Sequence, residues 1–316
     1  MANDGIAAAG KKALENAGFT VVTETVEQAD LIDVINQEGY EVVLVRSATK
    51  IRKDIIDACP NLKMIGRGGV GMDNIDVEYG RSKGINVFNT PASSSQSVAE
   101  LVMAHLFGAV RSLYDANREM PTNGVSSFKV LKKKYAKGIE LRGKTLGILG
   151  FGRIGQSLAQ YALGCGINVM VHDRNEGPFQ INLKIADQSI NVSIENSPKE
   201  DLLANADFLS LHIPSTDRPV IGTEEINAMK DGAVILNAAR GGAVDEDALL
   251  AALDSGKIAH AALDVFTNEP TPREDVLVHP KISLSPHVGA ATLEAQDRIG
   301  TELAENIINF YKQVEA

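Results

Sequence analysis

From Phe19 to Phe88 the chain alternates short runs rich in β-branched residues (FTVV, EVVLV, LKMIG, INVF) with stretches whose apolar residues recur at helical spacing, as at Leu31, Val34 and Ile35. Strand, helix, strand repeated in this way predicts a parallel sheet with crossover helices. A serine-rich break, TPASSSQS, comes next, and a domain boundary is expected in it. Ser97-Val-Ala-Glu100 then reads as a capping box opening a helix with Leu101, Val102, Leu106, Ala109, Val110 and Leu113 on one face. The stretch from Pro121 to Gly143 is polar, Lys-rich and poorly periodic, as expected of a surface excursion. From Thr145 the alternation resumes with TLGILG, NVMVHD, DFLSLH, AVILN, HAALDVF and KISLS, which predicts a second parallel sheet. The apolar-periodic helix from Leu293 to Tyr311 has no strand after it. It is expected to cross back to the first domain, so that the chain leaves that domain and returns.

Composition narrows the partners. At ~150 residues per domain, 316 residues favour two domains. Lys and Arg number 31 against 41 Asp and Glu, a net charge of −10, which argues against a phosphate-backbone binder and so against nucleic acid. Aromatic residues make up 5% and Trp is absent, leaving little material for base stacking or an interfacial belt. The richest apolar stretch, Val98 to Val110, is broken by Glu100 and His105 and falls short of the ~18 residues of a membrane span. The N-terminus lacks the apolar segment of a secretory signal, and Cys59 and Cys165 lie far apart without a CxxC pattern, so reduced thiols and a cytoplasmic location are expected. No metal site is expected.

The chemistry concentrates at strand ends. Gly150-Phe-Gly152-Arg-Ile-Gly155 lies between the run TLGILG and the helical run QSLAQYALG. In that setting the first glycine permits a tight turn, the second lets the backbone approach a pyrophosphate, and the third allows close helix–strand packing. Asp173 ends the next predicted strand, eighteen residues after Gly155, where a carboxylate holds both ribose hydroxyls and repels a 2′-phosphate. NAD is therefore favoured over NADP, although Arg174 next door can soften the preference. Three later strands lead to Arg240, Glu269 and His287. An Arg grips a carboxylate bidentately, a His moves a proton near neutral pH, and a Glu bonded to that His fixes its orientation. Together they suit hydride transfer on a 2-hydroxy or 2-oxo acid. Plainer roles also exist: Arg240 as an ion-pair partner near Asp245, Glu269 as a surface charge, His287 as a helix cap. Pro270 and Pro286 restrict the backbone beside Glu269 and His287.

The segments LGILGFGRIGQ, NAARGGAVDEDAL, ALDVFTNEP and SPHVGAAT together resemble the D-isomer-specific 2-hydroxyacid dehydrogenase family, over almost the whole chain. The resemblance implies a Rossmann doubly wound parallel sheet inserted into a smaller flavodoxin-like α/β domain. It implies a substrate-binding domain at 1–95 and 291–316 and an NAD-binding domain at 96–290. The family's catalytic residues fall on Arg240, Glu269 and His287. Its cofactor contacts fall on Arg153, Ile154, Asp173, Ile213, Ala238, Ala239, Asp264 and Ala290, beside Gly150, Gly152 and Gly155.

Within the family, Arg46-Ser47 and GRGGVGMDNID most resemble 3-phosphoglycerate dehydrogenases, which implies the first step of serine biosynthesis. Arg46, Ser47 and Arg67 are then candidate substrate contacts, the arginines in the region of a phosphate, and Val70 and Gly71 offer backbone N–H groups to the substrate carboxylate. Equally, both arginines are plain surface charges in the bland reading. A hydroxypyruvate or glyoxylate reductase is the alternative, and a dinucleotide-binding regulatory module without turnover is the reading from a different class. A formate-type enzyme is disfavoured, because Glu269 stands where that branch carries Gln. A homodimer is implied, with Ser97 to Met120 contributing. Lys132, Lys133 and Lys134 resemble a basic loop that in some members reaches a neighbouring subunit's site, or form a solvated charge run. There are departures. Ser94 stands where many phosphoglycerate dehydrogenases have Asn, only Met1 and Ala2 precede Asn3 so that the first strand is expected to be abbreviated, and residues 180–197 match poorly, as a surface elaboration. No regulatory domain is expected after Ala316.

Overall fold

The computed structural model describes residues 1–314, so residues 315 and 316 of the expected 291–316 segment lie outside the described residues. The chain forms two compact units, Met1–Ser97 with Ala290–Ala316, and Val98–Gly289. The expected boundaries lay one or two residues away, at 95/96 and 290/291.

The first unit holds α1 (Ala8–Asn16), α2 (Leu31–Gln37), β1 (Val42–Val45), α3 (Lys53–Ala58), β2 (Met64–Arg67), α4 (Val77–Ser82) and β3 (Asn86–Asn89). The three strands form a parallel sheet in the order β1-β2-β3. Because successive strand residues point to opposite faces, Val43, Val45 and Ile65 pack with Leu31, Ile35, Ile55 and Ile56 on one side. Leu44 and Met64 pack on the other with Leu14 and with Ile299, Leu303 and Ile307 of the returning C-terminal helix. The run FTVV forms no strand. Its neighbour is the stub Met1–Asn3, where Ala2 N–H donates to the Val22 carbonyl at 2.8 Å and Asn3 N–H to the Leu44 carbonyl at 2.9 Å.

The second unit begins with α5 and α6, whose full ranges are Ser95–Val110 and Leu113–Lys134. After them come β4 (Thr145–Leu149), α7 (Arg153–Gly164), β5 (Asn168–His172), β6 (Phe179–Ile185), β7 (Gln188–Ile194), α8 (Lys199–Asn205) and β8 (Phe208–Leu211). The chain continues with α9 (Thr223–Ala228), β9 (Ala233–Asn237), α10 (Glu246–Ser255), β10 (Ile258–Leu263), α11 (Glu274–Leu277) and β11 (Ile282–Leu284), and returns to the first unit as α12 (Leu293–Val314). The six apolar runs read from the sequence are the six strands of one parallel sheet, ordered β11-β10-β9-β8-β4-β5. One face is covered by Val102, Leu106 and Leu158, the other by Leu202, Ile226, Leu249 and Leu253. No helix among the described residues is long and apolar enough to cross a membrane.

Two local expectations are corrected. Helix α5 opens at Ser95, so Ser97 lies inside its first turn, and the Glu100 carboxylate accepts from the Tyr161 hydroxyl at 2.5 Å. Leu113 does not extend the α5 face: Ser112, at φ 47°, breaks the helix and leaves Leu113 63% exposed at the start of α6. The polar stretch after Pro121 lies at the surface, as expected, and most of it is helical. Its apolar residues Val125, Phe128 and Val130 face outward, which scrambles the amphipathic pattern, and Ser127 departs from helical backbone angles. Residues 180–197 form most of an antiparallel hairpin, β6 with β7, added to the sheet domain.

The return of α12 depends on a close crossing with α1. A Cβ placed on Gly10 would stand 2.3 Å from the Gly300 carbonyl oxygen, a backbone atom that cannot step aside. Gly10→Ala is expected to destabilise the protein by about 1–3 kcal/mol through overpacking, read as a lower urea midpoint at unchanged slope.

Candidate active site

The turn from β4 into α7 opens the helix under a run of glycines. Gly150 has φ +90°, and a Cβ there would meet the His212 carbonyl oxygen at 2.5 Å, so only glycine fits. Gly155 lets α7 approach the Gly150 carbonyl. Gly152 differs, since a Cβ there would meet nothing within 4 Å. Its missing side chain leaves open space over the first turn of α7, where no side chain caps the backbone N–H groups. An uncapped helix start under a glycine-lined opening suits an anionic pyrophosphate. Asp173 follows β5. One carboxylate oxygen accepts the Phe151 N–H of the glycine turn at 2.6 Å, the other the Asn175 N–H and side-chain amide at 2.9 and 2.7 Å. Burial pushes its pKa up, but these donors and Arg174 outweigh burial and hold it below the usual aspartate value.

At the same edge, the loops after β9, β10 and β11 carry the three polar residues. Glu269 accepts the Phe266 N–H at 2.9 Å with one oxygen and meets His287 Nδ1 at 2.7 Å with the other. Both side chains are partly exposed, and with Nδ1 donating to the carboxylate, Nε2 of His287 is the nitrogen left for a reacting group. His287 is held at φ +54°, a left-handed backbone that an unsupported residue seldom keeps. The support is Asp264, 2% exposed. Its carboxylate accepts the Ser285 hydroxyl at 2.6 Å and the amides of Val288 and Gly289 at 2.9 and 2.8 Å, bracketing His287 from both sides. Asn237 does the same for the loop after β9: its amide donates to the Arg240 carbonyl at 2.9 Å and accepts the Ala239 N–H at 3.1 Å. The Arg240 guanidinium donates to the Ala239 carbonyl at 2.6 Å. A Cβ on Gly241 would fall 1.9 Å from the Phe266 carbonyl oxygen, so the Arg240 loop lies directly against the loop leading to Glu269.

The profile of the family described as D-isomer specific 2-hydroxyacid dehydrogenase, NAD binding domain, matches residues 103–289. The chain is 41% identical to a hydroxypyruvate reductase of Thermotoga maritima over 91% of its own length and 89% of that protein's. The chain belongs to the D-isomer-specific 2-hydroxyacid dehydrogenase family. It is also 41% identical to a D-3-phosphoglycerate dehydrogenase of Methanocaldococcus jannaschii, over 94% of this chain but 57% of that one. This chain spans about half the length of the D-3-phosphoglycerate dehydrogenases it matches. A crystal structure of a glyoxylate reductase from Paecilomyes thermophila superimposes with a TM-score of 0.80 at 30% identity, covering 97% of this chain and 93% of that one.

In this dehydrogenase the Val98–Gly289 unit is accordingly an NAD(P)-binding Rossmann domain. It carries Arg153, Ile154, Ile213, Ala238 and Ala239, besides the residues above, and Ile213 packs on the glycine turn. Ala290 lies just outside, and its carbonyl accepts the Gln296 side chain at 2.6 Å. Arg46, Ser47, Arg67, Val70 and Gly71 belong to the first unit, at and after the ends of β1 and β2. The Arg67 guanidinium folds back over its own turn and donates to the Gly68 carbonyl at 3.3 Å. Lys134 is salt-bridged to Glu119. Sequence reasoning passed over Asn237, Gly241, Ser285 and Asn196. Only Gly241 left a signal, as the glycine pair after Arg240.

Asp173→Ala is expected to weaken NADH binding by about tenfold or more, the loss of charge-assisted bonds, and to narrow the gap between NADH and NADPH. Fluorescence titration with each dinucleotide checks both.

Proposed function

We propose that this protein is an NAD-dependent D-2-hydroxyacid dehydrogenase working as a hydroxypyruvate or glyoxylate reductase. The observation that carries the chemistry is the 2.7 Å contact between Glu269 and His287 Nδ1 at the carboxyl edge of the cofactor-binding sheet. The bound dinucleotide supplies the hydride. His287 Nε2 gives the proton to the oxo acid's carbonyl oxygen in reduction and takes it back in oxidation. Glu269, itself pinned by the Phe266 amide, stabilises the imidazolium and keeps Nε2 aimed outward. Arg240 grips the substrate carboxylate. The Asp173 carboxylate favours NAD, because a 2′-phosphate would meet a negative charge.

The reductase reading rests on the Thermotoga maritima relative, which this chain matches along nearly its full length, and on the glyoxylate reductase structure. A second reading, 3-phosphoglycerate oxidation, draws on the equal identity to the Methanocaldococcus jannaschii protein and on Arg46 and Arg67 at the ends of β1 and β2. We also propose a homodimer. The exposed Phe107, Leu113, Met120, Phe128 and Val130 give α5 and α6 an apolar surface that a second copy would cover.

His287→Ala is expected to cut turnover by ~10²–10⁴ while NADH still binds. Near-normal turnover would remove His287 from the mechanism. Following NADH oxidation at 340 nm, kcat/KM with hydroxypyruvate or glyoxylate is expected to match or exceed that with 3-phosphohydroxypyruvate. A preference of several kcal/mol for the phosphorylated acid would transfer the assignment to the second reading. Sedimentation at micromolar concentration is expected to give twice the chain mass, and a monomer would sink the dimer.

A further inference from the structure

Helix α5 buries Ala99, Val102, Met103, Leu106, Ala109 and Val110 against the Rossmann sheet, and among them stands an imidazole. His105 Nδ1 lies 2.8 Å from Ser283 Oγ on β11, and Nε2 lies 2.9 Å from Ser285 Oγ, just past the end of that strand. All three side chains are half-buried, and placing an imidazole and two hydroxyls beside the aliphatic core is costly unless each polar atom is bonded. Here each is, and the bonds have a direction. Ser285 gives its one proton to Asp264 Oδ1 at 2.6 Å, an oxygen that also accepts the Val288 N–H. Toward His105, Ser285 Oγ must therefore accept, which puts the imidazole proton on Nε2. Nδ1 is then an acceptor, and the Ser283 hydroxyl donates to it. Burial pushes the pKa of His105 down, outweighing the nearby Asp264 charge, so the neutral ring this arrangement needs is the favoured one.

We propose that His105, acting through Ser285 and Asp264, is a positioning residue for His287. A single relay runs from the Ser283 hydroxyl through the imidazole and the Ser285 hydroxyl to the carboxylate that brackets His287 on both sides. It fixes the rotamer of Ser285, keeps Asp264 supplied with its donor, and so holds the left-handed backbone of His287 against Glu269. The proposal rests on His287 being the proton-transfer residue.

The test compares His105→Leu, His105→Gln, Ser285→Ala and the His105→Leu/Ser285→Ala pair, with His287→Ala as reference. His105→Leu is expected to lower kcat by about 10- to 100-fold with the oxo acid while the NADH dissociation constant stays unchanged, as for a misplaced reacting group. His105→Gln, whose amide can donate to Ser285 Oγ, is expected to restore most of kcat. On the Ser285→Ala background, His105→Leu is expected to cost little more, because the relay is already cut. Nitrogen-15 shifts of histidine-labelled wild-type protein at pH 7 are expected to show His105 neutral with its proton on Nε2. The proposal is overturned by a proton on Nδ1, by unchanged kcat in His105→Leu, or by a loss that tracks the fall in melting temperature and that Gln does not rescue. If His287→Ala itself keeps near-normal turnover, it is the parent reading that fails, whatever the tautomer.

Discussion

Six strands running in one direction impose the constraint on which the second unit depends. In a parallel sheet every carboxyl end opens on the same edge, and the loops there can converge without any strand being long or strained. Gly150, Asp173, Arg240, Glu269 and His287 follow five different strands of this sheet, β4, β5, β9, β10 and β11, and all lie within six residues of a strand's last residue. Residues scattered over 138 positions of sequence thus share one edge because the backbone leaves them no other.

Convergence alone does not orient side chains, and the loops are fixed by buried polar groups. Asn237 and Asp264, both nearly inaccessible, each end or follow a strand and spend their hydrogen-bonding capacity on the loops carrying Arg240 and His287. A buried carboxylate is expensive unless bonded, and one that accepts three donors from a single five-residue loop makes that loop's conformation a condition of its own burial. The same logic accounts for Gly241, which lets the Arg240 loop touch the Phe266 carbonyl, and for Glu246, whose carboxylate accepts the Thr267 N–H at 2.8 Å.

The strands and the strand-end residues were legible because their signals are local: a run of β-branched residues, a glycine spacing, a polar residue after an apolar stretch. What the sequence hid was relational. Nothing near Asp264 in the chain says that its partners lie 21 to 25 positions on, and His105 reads as an interruption of an apolar helix until Ser283 and Ser285 stand opposite it. Helix α6 was obscured for another reason. Most of its apolar residues point outward, so burial does not impose the periodicity on which helix recognition depends.

The hairpin of β6 and β7 shows how such a relation reaches the cofactor site. A doubly wound sheet of this kind carries a further strand outside the second one. Here Asn196 meets that edge by an isolated bridge to Val171 on β5, and the Ser197 N–H donates to the Val171 carbonyl at 2.8 Å. The hairpin occupies the intervening chain and turns Phe179, Ile181, Leu183, Val192 and Ile194 onto the core, with the Phe179 ring edge-on to Phe151 at 5.0 Å. That packing delivers Asn196 to the loop after β5. Its side chain accepts the Asp173 N–H at 2.9 Å and donates to the carbonyls of Asp173 and Asn175 at 2.9 and 3.0 Å. The loop that presents Asp173 is therefore tied down from outside by Asn196 and from inside by the Phe151 amide. The hairpin thereby supplies the rigidity that a sheet strand would otherwise give.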